Sequence, residues 1–121
     1  MNIYESAEDY LEEILMLLES KGYARSTDIA EGLGVTKPSV SVAMKKLREN
    51  GYISMEKSGL ISLTDKGYSI ARRIYDRHLT LTKFFVSLGV EEKIAREDAC
   101  KIEHDISEES FAAIREKLLN S

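Results

Sequence analysis

Residues 26–63 constrain the fold of this chain more than any other stretch. Ser26 precedes Thr27, Asp28, Ile29, Ala30, Glu31 and Leu33, which together predict a short capped helix closed by Gly34. Thr36 opens a second helix with Pro38 in its first turn, running to Asn50 with Gly51 beyond it. A core stripe of Val40, Ala43 or Met44, and Leu47 leaves Ser39, Ser41, Val42, Lys45 and Lys46 facing largely outward. Short helix, tight turn and longer helix make helix-turn-helix spacing. Tyr52 to Leu63 then alternates in two segments broken at Lys57, Ser58 and Gly59, the pattern of a small hairpin. A hairpin directly after the longer helix is a wing, so this part of the chain predicts a winged helix.

The flanking segments are helical. Tyr10, Leu11, Ile14, Leu15, Leu17 and Leu18 set a helical stripe over residues 5–20 that stops at Gly22. Thr64 caps a long helix from Asp65 to about Leu88, uninterrupted by proline and ended by Gly89. Two more helices fit residues 91–105 and 107–119, the second opened by Ser107 with Glu108 and Glu109 in its first turn. The fold class expected is mainly α: an N-terminal winged helix-turn-helix, residues 1–66, joined by a long helix to an α-helical domain, residues 67–121.

Charge is distributed unevenly. The net charge of −4 disfavours nucleic acid when taken whole, yet residues 21–77 carry eleven Lys or Arg against six Asp or Glu, while both ends are acidic. A basic middle between acidic ends fits a DNA-reading lobe attached to a cation-binding one. No run of apolar residues is long enough to span a membrane, and the start of the chain lacks the basic and apolar regions of a signal peptide, so a cytoplasmic location without membrane partners is expected. One cysteine permits no internal disulfide.

That cysteine lies in a telling group. Cys100, Glu103 and His104 stand at i, i+3 and i+4, and on a helix all three would project from one face. A soft, a hard and an intermediate donor gathered in this way suit a divalent transition metal. Standing alone, such a cysteine is more often a small buried hydrophobe.

Taken in order, these residues make the chain resemble the metal-dependent repressors typified by the diphtheria toxin repressor and the manganese transport regulators. The resemblance rests on Glu8, Asp9, Tyr10, Leu11 and Glu12; on Ile29, Ala30 and Glu31 with Thr36, Pro38, Ser39, Val40 and Ser41; on Leu63 and Thr64 with Gly67; and on Arg77 and His78 followed by Cys100 to His104. It covers almost the whole chain and implies the short, manganese-type branch without an SH3-like domain, acting as a homodimeric repressor on a double-stranded DNA operator. It also implies metal ligands: Asp9 and Glu12 from the first helix, His78 from the long helix, and Glu103 and His104 from the dimerisation lobe. Cys100 departs from the manganese branch, which has glutamate there. The diphtheria-type branch has the cysteine, but a methionine at the position of Asp9, and Thr82 and Arg96 stand where that branch has an acid and a histidine.

Donor chemistry then narrows the metal. Carboxylates favour harder ions and a thiolate softer ones, so Mn(II) or Fe(II) is expected, with Zn(II), Co(II) and Ni(II) as substitutes. Ligands drawn from both lobes would make metal binding an orientation switch. It would set the two recognition helices of a dimer about 34 to 36 Å apart, or a multiple of that, so that they enter successive major grooves. Thr36, Pro38, Ser39, Ser41 and Val42 are the candidates for reading bases, with Lys37, Lys45, Lys46 and Lys57 on phosphates. Two rivals stand beside this reading: a winged-helix regulator answering to an organic ligand or partner protein, and, more remotely, a small metalloenzyme using Glu103 as base. The chain shows no nucleophile motif, glycine-rich phosphate loop or zincin pattern, and no enzymatic activity is expected.

Overall fold

A computed structural model describes the backbone of residues 3–120 and the side chains of residues 6–120. Its elements run α1 (Ile3–Lys21), α2 (Ser26–Leu33), α3 (Lys37–Glu49), β1 (Ile53–Met55), β2 (Ile61–Leu63), α4 (Asp65–Ser87), α5 (Glu92–Ile102) and α6 (Glu108–Leu119). The chain forms two compact units, one ending at Arg72 and the other starting at Arg73, so α4 contributes to both.

In the first unit, α1 to α3 pack on one another around Leu11, Ile14, Leu15, Ile29, Val40, Met44 and Leu47. Met44 rather than Ala43 completes the buried stripe of α3. Gly34, at φ 67°, adopts the left-handed conformation between α2 and α3 and turns the chain at no steric cost. Thr36 then caps α3, its hydroxyl oxygen accepting from the Ser39 amide at 3.3 Å.

The start of α2 falls one residue earlier than the sequence predicts. Arg25, not Ser26, is the N-cap, because the Asp28 carboxylate accepts from the Arg25 amide at 3.2 Å and draws that residue into the helix start. Beyond α3, β1 and β2 pair antiparallel, with Ile53 opposite Leu63 and Met55 opposite Ile61. The Ile61 amide also donates to the Ala24 carbonyl at 2.9 Å, joining the wing to the segment before α2.

Gly67 explains part of the Leu63, Thr64, Gly67 pattern. A Cβ there would overlap the Tyr52 carbonyl oxygen and stand 2.9 Å from its carbon, so α4 approaches the start of the wing through a gap only glycine leaves. Thr64 closes the same corner. Its hydroxyl donates to the Gly51 carbonyl at 2.6 Å and accepts from the Gly67 amide at 3.2 Å.

The second unit packs Leu81, Ala99 and Phe111 together, with Phe85, Ile102, Ile106 and Ile114 around them. Its helix α5 ends at Ile102, short of the predicted residue 105. Glu103 is the C-cap, and the Asp105 and Ile106 amides both turn back to the Ile102 carbonyl at 3.1 Å.

Candidate metal centre and nucleic-acid interface

The proposed nucleic-acid face is built by α3 and the wing. Thr36, Lys37, Pro38, Ser39, Ser41, Val42, Lys45 and Lys46 are all exposed on or beside α3, and Lys57 is exposed in the wing turn. Val42 is an apolar side chain left 57% exposed on a helix otherwise studded with polar groups. An isolated apolar residue among hydroxyls and ammoniums is the surface a thymine methyl and its flanking phosphates would meet. The Thr36 hydroxyl is already engaged in the cap and donates to Ser39 Oγ at 2.8 Å, which leaves its methyl as the group free for such a contact.

The wing turn is held from outside. The Arg25 guanidinium donates to the Ser58 carbonyl at 2.6 Å, next to Lys57. Nothing local in the sequence marks Arg25 for this task, because its partner lies 33 positions away.

On α1, Asp9 is half-buried and Glu12 buried, three residues apart on a helix and therefore on neighbouring positions of one face. In the second unit the structure brings together His78, Glu103 and His104. Glu103 is fully buried at 0% exposure, which is costly for a carboxylate unless its oxygens are matched. One oxygen, Oε2, stands 3.1 Å from His78 Nδ1. The other, Oε1, has no hydrogen-bond donor among the described residues and lies 3.7 Å from His104 Nε2. A buried carboxylate flanked by two imidazoles, with one oxygen lacking a donor, fits a divalent cation, which carboxylate and imidazole ligands both suit. The donor set and the metal therefore agree.

Cys100 differs from this group in burial. It is exposed, whereas Ala95, Ala99 and Glu103, four residues apart along the same helix face, are buried. Cys100 and Glu103 thus stand at neighbouring positions around the end of α5 but differ in burial. Glu103 continues the stripe of Ala99, Cys100 is turned one position off it, and His104 lies past the helix end. Ala95 and Ala99, small residues at helical spacing, were the sequence signal for that stripe.

Arg77 is the residue whose role the sequence did not reveal. It is 4% exposed, and its guanidinium donates to the Glu103 carbonyl at 3.1 Å, to the Ile106 carbonyl at 2.9 Å and to the Glu108 carboxylate. Its trace in the sequence was a cation on the apolar stripe of α4, between Ile74 and Leu81.

Comparison with known proteins agrees with these features. Residues 2–61 match the family described as iron dependent repressor, N-terminal DNA binding domain, and residues 64–120 match its metal binding and dimerisation domain. The HTH-type transcriptional regulator MntR of Bacillus subtilis is 43% identical over 109 residues, covering 90% of this chain and 77% of that protein. The protein of the same name from Lysinibacillus sphaericus is 40% identical over 109 residues, covering 90% and 78%. Among solved structures, a manganese-dependent transcriptional repressor in complex with manganese superposes with a TM-score of 0.85 at 32% identity, covering 93% of this chain. The T. acidophilum IdeR superposes at 0.81 and 31% identity, covering 91%. The chain spans 52% of the length of each of these two solved chains. No helix among the described residues is long and apolar enough to cross a membrane. With both halves of the family matched in order and a donor set that suits a divalent cation, the chain belongs to the iron-dependent repressor family and is a metal-dependent, DNA-binding transcriptional repressor.

Proposed function

We propose that the protein is a homodimeric, cytoplasmic repressor of metal-homeostasis genes that binds its operator when Mn(II) or Fe(II) is available. Residues 1–66 form its DNA-binding domain and residues 67–121 its metal-binding and dimerisation domain. The observation that carries this reading is the fully buried Glu103 carboxylate, with His78 Nδ1 at 3.1 Å from one oxygen and, among the described residues, no hydrogen-bond donor on the other. A bound divalent cation supplies the positive charge that such a carboxylate needs. His78, Glu103 and His104 are its central donors, and Asp9 and Glu12 are the further oxygen ligands that the family resemblance implies. Cys100 is the outermost member of the set, and its exposure makes it the donor whose loss costs least. The oxygen-rich balance favours the harder ions, hence manganese or iron before zinc.

On the DNA, Thr36, Pro38, Ser39, Ser41 and Val42 meet base edges, while Lys37, Lys45, Lys46 and Lys57 meet phosphates. Metal and DNA affinity are coupled reciprocally. The test uses duplexes selected from a random-sequence pool by the full chain with Mn(II). Metal should raise affinity for them by about ten-fold or more in fluorescence anisotropy, within the usual range of allosteric coupling. Glu103→Gln and His104→Ala should lose that rise while remaining dimeric in solution. Equal metal dependence in both variants would sink the ligand assignment, and metal-independent binding by the unaltered protein would sink the reading as a whole.

A further inference from the structure

Two consecutive residues of α4 hold the same acid by its two ends. His78 Nδ1 stands 3.1 Å from the Glu103 carboxylate, and Arg77 donates to the Glu103 main-chain carbonyl at 3.1 Å. We propose that Arg77 is a positioning residue of the metal centre, shaping the turn after α5 so that the Glu103 carboxylate and the His104 ring are already placed before a cation arrives. This rests on the assignment of Glu103 and His104 as metal ligands made above.

The geometry of the turn supplies the argument. A helix leaves its last carbonyls without partners inside the helix, and a cation near that end is favourable. Arg77 takes the Glu103 and Ile106 carbonyls together, so the guanidinium spans the segment that carries both Glu103 and His104. Its second terminal nitrogen meets the Glu108 carboxylate in the first turn of α6, which fixes where the next helix begins. The guanidinium also lies 5.3 Å from the centroid of Phe111, a core residue of this unit. One planar fork therefore binds the end of α5, the turn and the start of α6. A lysine's three N–H donors radiate from one nitrogen and do not reproduce the two terminal nitrogens that face these acceptors.

The cost of burying Arg77 points the same way. A guanidinium 4% exposed is retained only where its donors are matched, and here its matches are the backbone around two ligand side chains. Groups that orient a metal ligand in this way typically carry about ten- to a hundred-fold of metal affinity.

The experiment compares Arg77→Lys, Arg77→Met and Glu108→Gln with the unaltered full chain and with Glu103→Gln. Mn(II) affinity is read by electron paramagnetic resonance of the free ion, ligand geometry by the Co(II) absorption spectrum, and pre-placement by amide exchange of residues 103–106 without metal. Arg77→Lys and Arg77→Met should bind Mn(II) about ten-fold or more weakly, change the Co(II) spectrum and exchange faster over 103–106. Glu108 is exposed at its side chain, so Glu108→Gln keeps the fold and should weaken binding by a few-fold. A role confined to stability would lower the melting temperature while leaving the Co(II) spectrum of the folded variants unchanged, and that result overturns the proposal. So does unaltered Mn(II) affinity in Arg77→Lys and Glu108→Gln while Glu103→Gln loses it, an outcome that leaves the ligand assignment standing. Absence of specific Mn(II) and Co(II) binding in the unaltered chain removes both.

Discussion

Arg25 and Ser58, 33 residues apart, meet in a 2.6 Å hydrogen bond from guanidinium to carbonyl that ties the residue before α2 to the turn of the wing. Removing it in Arg25→Ala should leave the helices intact but let Lys57 wander from the phosphate contact proposed for it. Affinity is then expected to fall by a few-fold on selected and unselected duplexes alike, since phosphate contacts carry little sequence information. Anisotropy on both kinds of duplex checks this, and a loss confined to selected sequences would contradict it.

Lys46 is exposed on α3 in the last turn, where a phosphate contact is proposed. Lys46→Ala should weaken binding to every duplex and lower the slope of log affinity against log salt by about one unit. Val42→Ala should act differently, reducing discrimination at one thymine and leaving the salt slope as it was. A salt series on two duplexes differing at that base pair separates the two outcomes.

Gly67→Ala should be strongly destabilising. The added methyl would meet the Tyr52 carbonyl, which is backbone and is already held by the Thr64 amide at 3.1 Å. A loss of about 3 kcal/mol is expected, at the upper end of single-site effects. A urea midpoint indistinguishable from that of the unaltered protein would refute the close approach.

Glu13 has its carboxyl pushed above the ordinary value of 4.5 by burial, against α2 where Gly32 leaves room for it. The fold therefore prefers the protonated form. Its contribution is fully present below the unfolded-state value and is lost as pH rises through the higher folded value. Glu13→Gln should accordingly be more stable than the unaltered protein at neutral pH, with the gain vanishing below about pH 4.5. Thermal unfolding from pH 4 to 8 gives the comparison, and a gain that grew toward acid would reverse the assignment.

The helix-turn-helix and wing were legible because local chemistry specifies them. Thr36, Pro38 and Gly34 set helix ends through contacts only a few residues away. The misplaced ends have the opposite cause. Asp28 draws Arg25 into the start of α2 by reaching back three residues, and Arg77 accounts for the early end of α5 by taking carbonyls 26 and 29 residues away. The candidate donors were legible as residue types, since carboxylates and imidazoles at short spacing are rare on a core-facing stripe. Their burial was not. Whether Cys100 or Glu103 faces inward depends on where Ala95 and Ala99 pack, and a rotation of one position along α5 exchanges the two.

The stretch from Ala99 to Ile106 works as a gauge. An added residue before Glu103 would turn its carboxylate by about 100° and lift it by about 1.5 Å, and one added after Glu103 would carry the Ile106 carbonyl out of reach of Arg77. Between α4 and α5 the requirement is looser, because residues 88–91 include none of the proposed ligands. Length variants of this repressor should therefore be found at that connection and be absent from the turn that carries Glu103 and His104, where the number of residues matters as much as their kind.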